Sequence, residues 1–220
     1  MEGSAFRLQR FLSKSGPERA LEYFPRHQTL FIQGKWGNAV FYILVGVVGL
    51  TVLSRGGKRE RIISLLGPGS FAGKECIAKE RPRSMASART VTDCTVLRIE
   101  RKEMLRMIRD EETFAALFLD YLLGRITQYQ EVIMDHLSQS SEKRLARTLL
   151  LLTHFGDGGK AESVVPNFGQ MELAEVIGTT RSRVSFFMNS FRNRGFIAYK
   201  SKGPVTICTP KLSRWLINQE

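Results

Sequence analysis

Two arginines stand at the start of a predicted amphipathic helix in the stretch GTTRSRVSFFMNSFR, residues 178–192. Guanidinium groups can contact guanine O6 and N7 together or bind a phosphate, and hydroxyl groups can bond to either. The apolar residues three or four positions apart predict the face that packs on the core: Val184, Phe187, Met188 and Phe191. The pattern indicates a helix that binds nucleic acid, although a helix with a merely solvated arginine face shows the same pattern.

The preceding segment, QMELAEVIG, predicts a shorter helix that ends at Gly178, and Thr180 is expected to cap the next helix. Two short helices joined by a tight glycine turn form a helix-turn-helix, whose second helix enters the major groove. GFIAYKSKGPVTICTP predicts two strands of a β-hairpin wing. The predicted DNA-binding residues are Thr180, Arg181, Ser182, Arg183, Ser185, Arg192 and Lys202.

The net charge is +12, from 33 Lys and Arg against 21 Asp and Glu. Such an excess favours a polyanionic partner such as nucleic acid, although a basic surface can also serve solubility alone. Residues 138–220 carry 12 of the cations and 6 of the anions, so the charge density is highest there. No apolar run is long enough to span a bilayer and no secretory leader is found, so we expect a soluble, cytoplasmic protein.

The residues that could serve enzymatic, metal or redox chemistry are few and scattered. The three cysteines are widely spaced, which predicts buried thiols, with an oxidation sensor as the alternative: Cys76, Cys94 and Cys208. The three histidines show no ligand spacing, so we expect neither haem nor a metal site: His27, His136 and His154. No G-x-S-x-G motif and no phosphate-binding loop with its lysine occurs, so we expect no enzymatic activity.

Three kinds of segment position these residues. Residues 1–27 are predicted to hold two short helices, FRLQRFL and ERALEYF, the second ended by Pro25. Residues 28–100 contain short runs of β-branched and aromatic residues between glycine turns, which predicts a small β-barrel or sandwich. Residues 101–137 are predicted to form one long helix.

That helix has apolar residues on two sides. One seam alternates spacings of three and four and predicts a parallel homodimer: Leu119, Leu122, Ile126, Tyr129 and Ile133. A second set, which includes Phe114 and Phe118, suits packing on the barrel, and a helix docked only on its own barrel is the alternative. A polar break at LSQSSEKR then predicts a domain boundary. We expect a strand-rich domain at 1–110, a dimerisation helix at 111–137 and a DNA-binding domain at 138–220.

This order of parts resembles the catabolite-activator and fumarate-nitrate-regulator (CRP/FNR) family of bacterial transcription regulators. The resemblance is carried by FYILVGVVGLTVLSRGGKRERIISLLGPGSFAGKE, EKRLARTLLLL and ELAEVIGTTRSRVSFFMNSFRNRGFI. It implies an α+β fold with a cyclic-nucleotide-binding-type β-barrel (a jelly roll), a long dimerisation helix and a winged helix-turn-helix. It also implies a homodimeric, sequence-specific regulator that binds a pseudo-palindromic site on double-stranded DNA, and RNA polymerase too if it is an activator.

The resemblance further implies that residues 1–110 are a cyclic-nucleotide-binding-like effector domain with a ligand pocket in the barrel. Family members hold the ribose of a cyclic nucleotide with a Gly-Glu pair and its phosphate with an Arg-Ser pair; here Gly73-Lys74-Glu75 and Arg83-Ser84 stand in those places. A lysine replaces the ribose-binding glutamate, which disfavours cyclic AMP binding in the family's usual way. Three alternatives stay open: a cyclic nucleotide bound in another way, another small anionic ligand, or no ligand. Tyr129 and Gln130 match the positions that contact the base, although Tyr129 is also in the predicted seam.

This chain departs from the family at two places, which concern its cofactor and the DNA sequence that it binds. Iron–sulfur members carry a cysteine cluster near the N-terminus, and here no cysteine precedes Cys76, so we expect no iron–sulfur cluster. Many members read bases with a glutamate and an arginine, where this chain has Ser182 and Phe186. The operator therefore does not follow from the resemblance. The alternative function is a cyclic-nucleotide receptor whose C-terminal domain binds a protein partner.

Overall fold

The computed structural model describes residues 19–53, 60–78, 80, 83–138, 140–153, 162–165, 168–199 and 204–218. The chain divides into two compact units, Met1–Glu131 and Val132–Glu220. The predicted helix FRLQRFL, Lys202 and His154 lie outside the described residues.

The described part of the first unit contains eight antiparallel strands. They are β1 Arg19–Phe24, β2 Thr29–Phe31, β3 Ala39–Val45, β4 Val48–Leu53, β5 Glu60–Leu66, β6 Phe71–Ala72, β7 Ser87–Thr90 and β8 Cys94–Glu100. Two four-stranded sheets result, with the orders β1-β8-β3-β6 and β2-β7-β4-β5. Apolar residues from both sheets form one core cluster, which includes Ile43, Val48 and Val96. The predicted barrel is therefore confirmed.

The prediction of a helix at ERALEYF is wrong, because Arg19–Phe24 forms strand β1. All six residues pair with β8, from Arg19 opposite Ile99 to Phe24 opposite Cys94. Tertiary pairing along a sheet edge overrides a local helical pattern in so short a segment.

Two helices follow the strands where the sequence predicted one: α1 at Arg101–Asp110 and α2 at Glu112–Ser138. Glu111 separates them, because its φ of −123° and ψ of 86° are not helical. Both helices pack on a second core cluster, to which α1 contributes Met104 and Met107 and α2 contributes Phe114 and Phe118. The predicted barrel-facing set of α2 is thus confirmed.

The second unit contains α3 at Ser141–Thr153, β9 at Glu162–Val165, α4 at Gln170–Ile177, α5 at Arg181–Asn193, β10 at Ile197–Ala198, β11 at Val205–Cys208 and α6 at Thr209–Ile217. Ser140 caps α3, because its hydroxyl oxygen accepts a hydrogen bond from the Lys143 N–H at 3.3 Å. The predicted helix pair is confirmed, and the two predicted wing strands, β10 and β11, pair antiparallel. Strand β9, which completes a sheet of order β10-β11-β9, and helix α6 were not predicted.

Candidate nucleic-acid interface and effector site

A tight turn joins α4 to α5. Gly178 adopts the left-handed conformation, with φ 67° and ψ 48°, which favours glycine. The Thr179 N–H donates to the Ala174 carbonyl oxygen at 2.9 Å and so satisfies a carbonyl at the end of α4. The chain turns within three residues, and α5 starts with its first side chains on the surface.

The start of α5 concentrates positive charge. Arg181, Ser182 and Arg183 are exposed, and the first turn contains no acidic residue. Thr180 caps the helix as predicted, because its hydroxyl oxygen accepts a hydrogen bond from the Arg183 N–H at 3.4 Å. The N-terminal N–H groups of a helix themselves attract anions. Two guanidinium groups, one on each flank of the exposed face, and a helix N-terminus between them are therefore suited to phosphates and base edges.

The opposite side of α5 packs into the unit. Val184, Phe187, Met188 and Phe191 are buried, as the sequence pattern predicted. Ser185 is half-buried at the flank of the exposed surface. The apolar side fixes the helix to its core, and the polar side stays available to a partner.

The end of α5 is joined to the wing. The Arg192 guanidinium lies 5.3 Å from the centroid of the Tyr199 ring, just after β10. The Tyr199 hydroxyl donates to Asn189 Oδ1 at 3.3 Å. Arg194 instead faces Glu142 of α3, with Nη1 3.8 Å from Oε1. Arg192 therefore lies beside the wing, whereas the Arg194 side chain is directed to α3.

In the barrel, the predicted ribose position has a left-handed backbone that favours glycine. Gly73 has a φ of 75°, and a Cβ there would lie 3.1 Å from the Ala39 carbonyl oxygen. The following 3-10 helix, Lys74–Ile77, places Lys74 Nζ 3.4 Å from Glu75 Oε1. An ammonium group thus stands where a carboxylate was implied, and it can donate hydrogen bonds to a ligand but cannot accept them.

The predicted phosphate position lies close to this helix. Gly37 lies next to both segments. A Cβ built on Gly37 would be 3.1 Å from the Cβ of Cys76, in the 3-10 helix, and 4.0 Å from Ser84 Oγ. The Arg83 guanidinium lies 5.4 Å from the centroid of the exposed Trp36 ring. The structure therefore brings the Gly73 and Ser84 segments together, while Arg83 stacks on Trp36.

Helix α2 adds a cation that sequence reasoning missed. Arg125 Nη2 donates to Ser64 Oγ of β5 at 3.3 Å and to the Tyr129 hydroxyl at 3.0 Å. Its Nε is buried without a hydrogen-bond partner among the described residues. Burial raises the pKa of nearby Tyr121. A hydrogen bond from the Phe71 N–H and the positive charges of Arg125 and Lys74 oppose this increase. Tyr129 is half-buried in this cluster, and Gln130 is exposed.

Two domain families match the chain. Residues 21–111 match the cyclic nucleotide-binding domain, and residues 143–212 match the Crp-like helix-turn-helix domain. The cyclic AMP receptor protein of Thermus thermophilus is 32% identical over 194 residues, which cover 86% of this chain and 85% of that protein. The chain belongs to the CRP/FNR family. A CRP-like cAMP-activated global transcriptional regulator of Mycobacterium tuberculosis is 28% identical over 193 residues, covering 87% of this chain and 85% of that protein.

Solved structures share the fold of this CRP/FNR family member. FixK2 from Bradyrhizobium japonicum superposes with a TM-score of 0.75 at 15% identity, covering 89% of this chain and 96% of that one. A CooA mutant from Carboxydothermus hydrogenoformans gives 0.72 at 17% identity, covering 95% of each chain. The α+β class, with a cyclic-nucleotide-binding-type barrel and a helix-turn-helix, is thereby confirmed. As a CRP/FNR member, the chain is a DNA-binding transcription regulator.

On the α2 surface, four of the exposed apolar residues follow a register that differs in part from the predicted seam, and Val132 and Met134 are exposed outside it. Leu122 packs against the barrel core, and Tyr129 contacts Arg125. The exposed positions with alternating spacings of four and three are Leu119, Leu123, Ile126, Gln130 and Ile133. Three of the five predicted seam residues are therefore on the exposed stripe.

The cysteines of this regulator are free thiols, with Cys76 and Cys94 buried and Cys208 half-buried. Burial raises the pKa of Cys94. No group of three or more His, Cys, Asp or Glu in the described ranges is placed to hold a metal ion. Among those same residues, no helix is both long and apolar enough to cross a membrane.

Proposed function

We propose that the chain acts in the cytoplasm as a homodimer that binds a pseudo-palindromic DNA site in a sequence-specific way. Residues 1–110 would form the effector domain, 111–137 the dimerisation helix and 138–220 the DNA-binding domain. The observation that carries the proposal is the exposed start of α5, where Arg181 and Arg183 flank a capped helix N-terminus. As an activator, the dimer would also contact RNA polymerase.

The dimer is supported by the exposed apolar stripe of α2. Leu119, Leu123 and Ile126 are each more than half exposed, and Ile133 continues the stripe at 59%. Four large apolar side chains at coiled-coil spacing are costly in water, and pairing with a second copy buries them. A two-fold dimer presents two recognition helices to half-sites about one DNA turn, roughly 34 Å, apart.

Control by a small anionic ligand is supported by the cations around the barrel site. Lys74 and Arg83 occupy the implied ligand positions, and Arg125 brings a third cation from α2. The two relatives described above are named for cyclic AMP, but in this chain the amino group of Lys74 replaces the implied carboxylate. A ligand would change DNA binding only if it binds one conformational state better than the other. We propose Gly73, Lys74, Glu75, Arg83, Ser84, Tyr129 and Gln130 as its contacts.

The test is selection of genomic DNA fragments by the purified full-length protein at moderate salt, first without ligand and then with cyclic AMP, cyclic GMP or ATP. We expect enrichment of a motif with two-fold symmetry. A double variant, Arg181→Ala with Arg183→Ala, should lose the motif. Arg109→Ala, which removes an exposed arginine of α1, is the matched control and should keep it.

Salt dependence separates this function from a protein-binding receptor. Contacts to phosphates release counterions, so the logarithm of the association constant should fall steeply with the logarithm of salt concentration. Retention of no DNA at low salt, with or without the three nucleotides, would contradict the proposal. It would leave the C-terminal domain as a binder of a protein partner.

A further inference from the structure

The outward stripe of α5 has an apolar residue at its centre. Ser182, Phe186, Asn189 and Asn193 recur every three or four residues, opposite the buried side of the helix, and all four are exposed. Phe186 is 70% exposed. Because the core is on the other side, the Phe186 ring contributes little to the stability of the unit.

The stripe itself contains no charge. At about 100° per residue, Arg181 and Arg192 lie on one flank of the stripe and Arg183 lies on the other. In a major groove, the flanks of a recognition helix face the two phosphate backbones and its centre faces the base edges. The arginines thus approach the groove from its walls, and Arg181, at the first position of the helix, can still reach a base edge from there. Phe186 is placed over the floor of the groove.

The Phe186 ring also has a preferred direction. It packs edge-on against the buried Phe187 ring, with centroids 5.8 Å apart and an interplanar angle of 66°. A side chain held in this way loses little conformational freedom when it contacts a partner. It carries no hydrogen-bonding group.

We propose that Phe186 reads a thymine in each half-site by contact with its C5-methyl group, an inference that rests on the proposed DNA-binding function. Thymine is the base that presents a methyl group in the major groove, next to its O4 acceptor. Guanine and adenine present N7 with O6 or the N6 amino group, and cytosine presents its N4 amino group with an unmethylated C5–H. A phenyl ring over those atoms removes water without replacing the hydrogen bond, which is unfavourable. Phe186 therefore favours thymine both by contact and by exclusion of the other bases.

The test compares two random duplex libraries that differ by one methyl group. One is amplified with thymidine triphosphate and the other with deoxyuridine triphosphate, since uracil pairs as thymine does but lacks the C5-methyl. Wild-type protein and Phe186→Ala are each carried through selection on both. Ile217→Ala is the matched control, because Ile217 is 68% exposed on α6, outside the helix-turn-helix.

With wild-type protein and Ile217→Ala, we expect a symmetric motif with a required thymine at one position per half-site, and this preference should vanish in the uracil library. On a single selected duplex, thymine-to-uracil exchange there should weaken wild-type binding about fourfold per half-site. Phe186→Ala should bind the two duplexes equally and keep the rest of the motif. The wild-type comparison does not depend on whether the variant folds.

Two results would overturn the inference while the regulator function stands. One is an unchanged wild-type motif in the uracil library at every position. The other is a folded Phe186→Ala protein with the full wild-type thymine preference, which would leave the exposed ring as a surface for a protein. If the wild-type protein enriches no motif from either library, the inference and the proposed sequence-specific function fail together.

Discussion

Arg144 in α3 donates a hydrogen bond from Nε to the backbone carbonyl oxygen of Ile177, 2.9 Å away, at the last residue of α4. Carbonyl groups at a helix C-terminus lack partners within the helix, and a cation there also interacts favourably with the helix dipole. Because Gly178 turns the chain directly into α5, this contact anchors the turn that positions the recognition helix.

We predict that Arg144→Met lowers the free energy of unfolding by about 1–2 kcal/mol, since it removes a charge-assisted hydrogen bond but keeps an apolar stem. Affinity for the selected DNA should fall with it. Urea unfolding followed by circular dichroism, and anisotropy titration with a labelled duplex, measure the two effects. Arg214→Met, at an exposed position of α6, is the control. If Arg144→Met and Arg214→Met have the same free energy of unfolding, the positioning role of Arg144 is contradicted.

Arg181 is predicted to read a base, because it is exposed at the first position of α5. Arg181→Ala should weaken binding to the selected duplex by about 1–3 kcal/mol and should affect an unrelated duplex much less. Titration of both duplexes at one salt concentration makes the comparison, with Arg109→Ala as the control. The same loss on both duplexes would instead assign Arg181 to a phosphate.

Arg192 should behave differently, because it lies at the far end of α5 beside the Tyr199 ring. We predict that Arg192→Ala weakens binding to selected and unrelated duplexes alike. Loss of one phosphate contact per protomer should also make the slope of the logarithm of the association constant against the logarithm of salt concentration shallower by about 1 for each half-site. Association constants at several salt concentrations give that slope. A slope identical to that of the wild-type protein would rule out a phosphate contact at Arg192.

The helix-turn-helix was accessible from sequence because its signals are local. The glycine turn at Gly178, the cap at Thr180 and the apolar spacing of α5 each act within a few residues. Strand β1 was missed for the opposite reason, since its conformation depends on pairing with β8, about 75 residues further along the chain. The Arg144 contact likewise joins residues 33 positions apart, and no local pattern marks it.

The α2 surface shows a second limit. A helix with apolar residues at many positions offers more than one register of alternating threes and fours, and the sequence does not show which register is covered. Two residues of the predicted seam are occupied within the protomer, because Leu122 packs on the barrel and Tyr129 contacts Arg125. Their neighbours Leu123 and Gln130 are exposed instead.

Ile126 is 53% exposed and lies in the middle of that exposed stripe. We predict that Ile126→Glu yields a monomer, because a symmetric pair would bury two carboxylates together. Val132→Glu introduces the same charge on α2, away from the stripe, and should stay dimeric. Sedimentation velocity of the two variants provides the comparison. A dimer that survives Ile126→Glu would place the interface elsewhere.

Stability should respond to acid through Glu103. This residue of α1 is 7% exposed, and its carboxylate accepts hydrogen bonds from Arg106 Nε and Arg19 Nη2, each at 2.8 Å. The hydrogen bond from Arg106, then that from Arg19, together with both charges, lower the pKa of Glu103 to about 2, although burial opposes this. The folded state therefore favours the ionised form, and an unfolded glutamate has a pKa of about 4.3.

The resulting stabilisation is complete above about pH 5 and is lost as the pH falls toward about 2, since protons then bind the unfolded chain preferentially. We predict that Glu103→Gln lowers the free energy of unfolding by about 2 kcal/mol at pH 7 and that the difference from wild type shrinks across this acidic range. Urea unfolding at a series of pH values measures it, with the exposed Asp120→Asn as the control. A difference that stays constant from pH 7 to pH 3 would show that the Glu103 charge does not contribute.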